Sequence, residues 1–494
     1  MNKRIEKVVI AGGGTAGWMA AASIAKLIGK TVNVTLIESD EIGTVGVGEA
    51  TIPPLLTLHN LLKIKEQEFI KAVQGTFKLG IRFENWRNLG EQYIHPFGFY
   101  GQDLWAAGFQ HFWMKGKALG LADDYGSYCK EWVAATNNRF AVLPKDGLNY
   151  AYHFDASLYG KFLRSIAEAH GARRQEGKIK SVSQHSETGF IESLELEDGS
   201  VIEGDLFIDC TGFRGLLIEQ TLETGYESWS EWLPCDSAVA VQTESVGAPV
   251  PYTRSIAREA GWQWRIPLQH RVGNGLVFSS QYWSDADATN VLLGNVEGKV
   301  RTEPRVLKFH SGTRKKHWNK NCVALGLASG FLEPLESTSI HLIQKGIIRL
   351  LQMFPSNGIR TPDIEEFNQQ MRQEIEHTRD FIILHYHVNE RTDSDFWIKC
   401  REMEVPESLK HRIELFKQTG RVFRMPNELF GEASWTAVMF GQGLDPEQYH
   451  PIVDMMDEKE LKEFLKGLES SVVNLVRTLP EHQKFIDNYC KVSA

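Results

Sequence analysis

At 494 residues, with 42% hydrophobic and 24% charged side chains, the chain has globular composition and length for roughly three domains. That balance excludes a disordered chain, a collagen-like repeat and a coiled coil. The 54 basic and 63 acidic side chains leave a net charge of −9, which offers no field for a polyanion, so no nucleic-acid partner is expected. Cys129, Cys210, Cys235, Cys322, Cys400 and Cys490 are scattered without a Cys-x-x-Cys pair. This argues against a disulfide framework or a zinc knuckle and fits a reducing, cytoplasmic setting.

Residues 8–25 follow a basic start and carry no charge, which imitates a signal peptide or a membrane span. Gly12, Gly13, Gly14 and Gly17 would spoil an apolar helix there. A strand over Lys7–Ala11, a glycine loop, a helix over Thr15–Ile28 closed by Gly29, and a strand over Val32–Ile37 explain every one of them, so neither targeting nor membrane insertion is expected. Residues 53–74 read as a helical stretch opened by Pro53-Pro54 and stopped by Gly75. Phe190–Leu196 and Val201–Ile208 alternate around Asp198-Gly199, a hairpin signature. Gly261–Pro267 is a further alternating run in a β-rich middle section. After about 340 the pattern turns helical, with Thr361-Pro362 as a cap and first-turn pair and a last amphipathic stretch over 457–489.

Gly12-x-Gly14-x-x-Gly17 follows one strand and opens a helix, and Glu38 ends the next strand about 20 residues on. In that setting the glycines let the backbone approach a pyrophosphate at the helix N-terminus, and Glu38 can accept from a ribose hydroxyl. The unit alone does not choose between NAD and FAD. Asp205–Asp209, running into Cys210-Thr211-Gly212, is a second strand ending in a small-residue turn, and two-site recognition of this kind favours FAD.

Gly12–Trp18 (GGGTAGW) together with Trp262-x-Trp264-x-Ile266-Pro267 resembles the flavin-dependent tryptophan halogenase family. The likeness continues at Gly46-x-Gly48-Glu49-x-Thr51-x-Pro53, at Lys78 within Gly75–Gly80, at His95–Gly98 and at Pro334–Thr338, with anchors as far as about residue 446. It implies an α/β (α+β) chain whose FAD monooxygenase-like, two-dinucleotide-binding fold is merged with a mostly helical substrate module. The FAD module would span 1–340 with β-rich, substrate-facing insertions at about 80–170 and 215–320, and the helical module 341–494. FAD contacts are implied at Gly12, Gly14, Thr15, Ala16, Gly17, Glu38, Gly48, Glu49, Ala50, Asp209 and, in a third turn, Gly326. A separate NAD(P)H-dependent reductase would supply FADH2, and O2 and halide would then give hypohalous acid that passes through a tunnel to an aromatic substrate.

Within that resemblance, Trp262, Trp264 and Ile266 lie at period two and form one apolar wall, ending at Pro267, between flavin and substrate. Lys78 would hold the hypohalous acid by hydrogen bonding or carry the halogen as a haloamine; both remain open. Glu336 would orient the acid or take the proton of the arenium ion. The helix start at Ser337-Thr338-Ser339 offers Thr338 and Ser339 N–H groups to a chloride or bromide, although many relatives carry Gly in place of Ser339. His95 and Phe97 would line an indole site with Ser337. His385-x-His387 lacks a third ligand, and no metal is expected.

One departure stands out. Where free-tryptophan halogenases carry paired tyrosines that grip the amino-acid head, this chain reads Ala433-Ser434-Trp435-Thr436-Ala437. A site without partners for a zwitterion should reject free tryptophan, so an indole or another electron-rich aromatic is expected. An FAD-dependent aromatic hydroxylase on the same fold is the alternative.

Overall fold

The computed structural model describes residues 4–42 and 48–492. The chain divides into two compact units, each assembled from three separate stretches: Met1–Gly75, Phe154–Asp236 and Lys308–Glu376 in the first, and Thr76–His153, Ser237–Leu307 and His377–Ala494 in the second.

The first unit is built on a six-stranded sheet ordered Trp318–Asn319, Cys322–Ala324, Leu206–Asp209, Lys7–Ala11, Asn33–Glu38 and Arg173–Glu176. All its pairings except that of the first two strands are parallel. Val8, Val9 and Ile10 are buried on both faces, which is why this strand reads as an unbroken apolar run rather than an alternating one. The helix Thr15–Leu27 follows it directly and is buried without interruption from Gly17 to Ala25. Its small side chains let the helix Ala156–Ala169 pack closely against it. The 53–74 stretch is two helices, Pro54–Leu61 and Glu66–Ala72, because Lys63 between them takes a left-handed conformation at φ 49°.

The expected hairpin around Asp198-Gly199 is present, pairing Ile191–Leu196 with Val201–Glu203. The second run does not continue to Ile208 as one strand. It breaks at Gly204-Asp205, and Leu206–Asp209 joins the parallel sheet instead. The Asp205 carboxylate causes the break by accepting the N–H groups of Glu6 and Lys7, both at 2.9 Å.

The second unit carries a seven-stranded sheet ordered Arg305–Lys308, Ser237–Thr243, Val272–Phe278, Gly261–Pro267, Thr253–Arg258, Gly80–Glu84 and Gln92–Pro96. The short strand Thr76–Lys78, immediately before Gly80–Glu84, pairs antiparallel with Ala151–His153. A helical layer of this unit closes over Phe109, Phe112, Trp113, Leu461 and Leu465. The 457–489 stretch is again two helices, Glu458–Thr478, opened by an Asp457–Glu460 capping box, and His482–Tyr489, separated at Pro480. Among the described residues no helix is long and apolar enough to cross a membrane.

Candidate active site

In the first unit, the glycine loop is shaped by close backbone crossings. Gly12 takes φ +107°, and a Cβ there would stand 2.3 Å from the Cys210 carbonyl oxygen; one on Gly17 would stand 1.9 Å from the Gly12 oxygen. Gly14, by contrast, faces open space. The helix that begins at Thr15 and Ala16 has no side-chain cap and no acid in its first turn, so its unpaired N–H groups open onto that space. This geometry fits the pyrophosphate of a dinucleotide. Gly326, at φ +63°, lies close enough that its Cβ would meet that of Ala16 at 2.9 Å. The Cys210 and Gly326 turns are thus both brought to the same helix end.

Glu38 lies beside the loop. It accepts from Trp18 Nε1 at 3.2 Å and from Arg174 Nε at 2.5 Å, with Arg164 at 3.7 Å. A Cβ on Gly13 would overlap its Oε2 at 1.5 Å, so glycine at 13 makes room for this carboxylate. Asp209 is fully buried. Its Oδ1 accepts from Thr211 N–H and Oγ1, and its Oδ2 from the N–H groups of Leu217 and Ile218, an arrangement that shapes the turn. Gly48, Glu49 and Ala50 form a short strand, in which burial pushes the partly covered Glu49 carboxyl up to about 7. Gly46 of the same motif lies outside the described residues.

The segment from Glu333 turns sharply through Pro334–Glu336 into the helix Ser339–Gln352. Glu336 is fully buried, and Ser337 takes the left-handed region at φ 59°, a strained choice for a residue with a Cβ. Thr338 occupies the N-cap but makes no cap bond, and its buried Oγ1 has no hydrogen-bond partner. An uncapped start with an orphan hydroxyl suits a small anion. The apolar stripe Ile340, Ile343, Ile347 and Leu350 anchors this helix in the core.

In the second unit, Lys78 is fully buried, rare for a lysine without a task. Its Nζ lies 5.1 Å from the Phe97 ring centroid. Phe97 N–H donates to the Leu79 carbonyl at 2.9 Å, and Ile81 pairs with His95 across adjacent strands. The sequence-predicted Lys78, His95 and Phe97 are therefore brought together. His95 also faces Phe381 and Phe430 at 5.5 and 6.0 Å; Phe381 stacks on Phe430 at 3.9 Å and meets Trp435 edge-on at 4.8 Å.

Trp262 and Trp264 share one sheet face, 6.1 Å apart, on the buried strand that continues through Ile266 to Pro267. The Trp264 ring lies over Gly275 of the neighbouring strand, and its buried Nε1–H has no partner. Trp435 is held differently. Its indole N–H donates to Glu428 at 2.9 Å, Arg412 grips the same carboxylate through two nitrogens at 2.5 and 3.2 Å, and the Arg412 guanidinium lies 4.0 Å over the Trp435 ring. The neighbouring Ser434 is partly buried at the start of that helix. His385 donates Nδ1–H to the Phe381 carbonyl and packs on Phe83 at 4.6 Å, a core role.

Sequence reasoning missed Arg412, Glu428, His153 and His482. Burial holds His482 near pKa 4, and burial with the Lys78 charge holds His153 far below the usual imidazole range.

The tryptophan halogenase family model matches residues 7–458. The tryptophan 7-halogenase RebH of Lentzea aerocolonigenes is 32% identical over 532 aligned residues, covering 98% of this chain and 99% of RebH. Among solved structures, a flavin-dependent halogenase from Xanthomonas campestris is 57% identical with a TM-score of 0.98, covering 100% of both chains. BrvH, a flavin-dependent halogenase from Brevundimonas sp. BAL3, is 46% identical with a TM-score of 0.95, covering 99% of this chain and 100% of that one. The expected mixed α/β fold with a Rossmann-type FAD-binding sheet is shared with these structures.

Proposed function

The chain belongs to the tryptophan halogenase family of flavin-dependent enzymes, and from that premise we propose that it exchanges an aromatic C–H for C–Cl or C–Br on an indole or other electron-rich ring without an amino-acid head. The observation that carries the substrate reading is the closed Arg412–Glu428–Trp435 group. The acid and base there already answer one another and the chain's own indole N–H. A zwitterion brought to such charges would lose its hydration without gaining partners.

Reduced FAD, supplied by a separate NAD(P)H-dependent reductase, provides when bound the electrons with which O2 and halide yield hypohalous acid. Gly12, Gly14, Thr15, Ala16, Gly17 and Gly326 would hold its pyrophosphate through backbone, with Glu38 at the ribose and Gly48, Glu49 and Ala50 beside it. Asp209 acts through the turn it orders. Thr338 and Ser339 would bind the halide, with Ser337 setting the backbone direction. Lys78 presents the electrophilic halogen, either by N–H donation to hypohalous acid or as a haloamine formed with loss of water. The ring carbon bonds the halogen, and Glu336 orients the acid or takes the ring proton, so that hypohalous acid and arene leave as haloarene and water. His95, Phe97, Ser434 and Trp435 would border the ring, while Trp262, Trp264, Ile266 and Pro267 exclude it from the oxidant.

The test supplies reduced FAD, O2 and bromide with either indole or free tryptophan, and scores the bromine isotope doublet by mass spectrometry. Brominated indole is expected, with Lys78→Ala reducing it about 100-fold or more. Hydroxylated product made at full rate without halide, and undiminished in Lys78→Ala, would convert the assignment to a hydroxylase. Preference for free tryptophan over indole would overturn the substrate reading.

A further inference from the structure

The strand that carries Lys78 is held by two imidazoles whose protonation states follow from their neighbours. The Thr76 hydroxyl donates its single proton to the Pro267 carbonyl at 2.7 Å. Toward His153 Nδ1, at 3.1 Å, it can therefore only accept, so Nδ1 carries a proton, and Nε2 is hydrogen-bonded to Thr253 Oγ1 at 2.9 Å. One residue on, Phe77 N–H donates to His482 Nε2 at 3.2 Å. That nitrogen must carry a lone pair, and its Nδ1–H donates to the Pro249 carbonyl at 2.8 Å. His482 is thus neutral by its contacts, and burial beside the Lys78 charge keeps His153 neutral as well, each in the Nδ1–H form with every ring nitrogen engaged.

The two contacts act in different directions. Thr76 and Lys78 project to one face of the strand and Phe77 to the other. His153 therefore works on the lysine's own face, while His482 caps the edge. Phe77 N–H, spent on His482, points away from the partner strand Ala151–His153. The Phe77 ring is enclosed by Phe140 at 4.4 Å, Phe485 at 5.3 Å and Tyr489 at 6.1 Å, which fixes the strand's roll.

We infer that His482, with His153, is a positioning residue for Lys78, fixing the lysine's direction through the Phe77 amide and the Thr76 hydroxyl. The inference rests on the role proposed above for Lys78. A protonated His482 would turn Nε2–H against Phe77 N–H and release the strand edge. The charge that bears on His153 is that of the Lys78 amine, to which a protonated His482 would add. On the far side of His482, Glu481 and Lys484 pair with each other at 3.2 Å, both exposed, and the Arg139 guanidinium is hydrogen-bonded to the Leu479 carbonyl.

His482→Leu removes the acceptor, whereas His482→Gln keeps one at nearly the same distance. With reduced FAD, O2, bromide and indole at pH 7, the leucine variant should lose about 10- to 100-fold in kcat with KM within twofold. The share of hypohalous acid escaping to a soluble β-diketone scavenger should rise. The glutamine variant should recover most of both. A leucine variant with wild-type kcat and escape, or one whose product and escaped acid fall together in proportion to folded protein, overturns the inference. Nitrogen-detected histidine NMR on the wild type requires no turnover and should show Nδ1–H tautomers for both rings at pH 7; an Nε2–H tautomer or an imidazolium at either overturns the geometry. Failure of wild-type halogenation alongside the expected tautomers would count against the lysine's chemical role and not against the strand's support.

Discussion

Glu49 and Glu428 are covered carboxyls with opposite surroundings. Glu49 is raised to about 7 by burial, so the folded chain keeps a proton that the unfolded chain, titrating near 4.5, releases. Its contribution to stability is complete below about 4.5 and is lost as pH rises through about 7. Glu49→Gln should therefore raise the gain in unfolding free energy between pH 5 and pH 8 in flavin-free protein by about 1–2 kcal/mol after allowing for partial exposure, read from denaturant titrations at the two pH values. Glu428 instead meets the Arg412 guanidinium, the Trp435 N–H and the Met425 N–H. Glu428→Gln leaves a buried guanidinium without its counter-charge and should cost about 3 kcal/mol, read as a lower Tm. Neither environment was legible beforehand. Gly12 and Gly17 were, because a backbone crossing that admits no Cβ needs glycine whatever surrounds it. The Glu38 to Arg174 contact spans 136 residues of chain, and no local pattern announces it.

Periodicity located elements well and divided them poorly. The Lys7–Ala11 strand, the Thr15–Leu27 helix and the Gly261–Pro267 strand lie where apolar spacing put them. The run 201–208 and the stretch 53–74 each broke in two, because the decisive events were the Asp205 carboxylate finding Glu6 and Lys7 and the left-handed turn at Lys63. The wall strand has a cross-strand requirement that alternation alone does not reveal. Trp264 pairs with Gly275, and a Cβ at 275 would lie 1.9 Å from the indole ring. Gly275→Ala should displace Trp264 and cost about 1–3 kcal/mol, measured by a shift in denaturant midpoint accompanied by altered tryptophan fluorescence.

Across the whole molecule, burial holds several histidines neutral, His59 at about 3 and His317 and His482 at about 4. Such groups contribute stability that is complete above their unfolded value near 6.5 and is lost as pH falls through the folded values. Acid destabilisation should therefore set in below about pH 6.5 and continue to about pH 4, with uptake of several protons on unfolding, while Glu49 opposes it by losing its own contribution as pH rises through about 7. A circular-dichroism titration of the denaturant midpoint at pH 4.5, 6 and 8 should rise from the first value to the last, because the several buried histidines outweigh the one raised carboxyl. Each unit draws on three separated stretches of chain, so neither can be completed from one continuous piece. The acceptor for Phe77 N–H is 405 residues downstream. At roughly 5–20 residues per second of ribosomal synthesis, about 20–80 s pass between translation of the lysine strand and translation of its imidazole acceptor. Throughout that interval the nascent polypeptide holds the Lys78 strand with that amide edge open, and the late-made helix that carries His482 closes it.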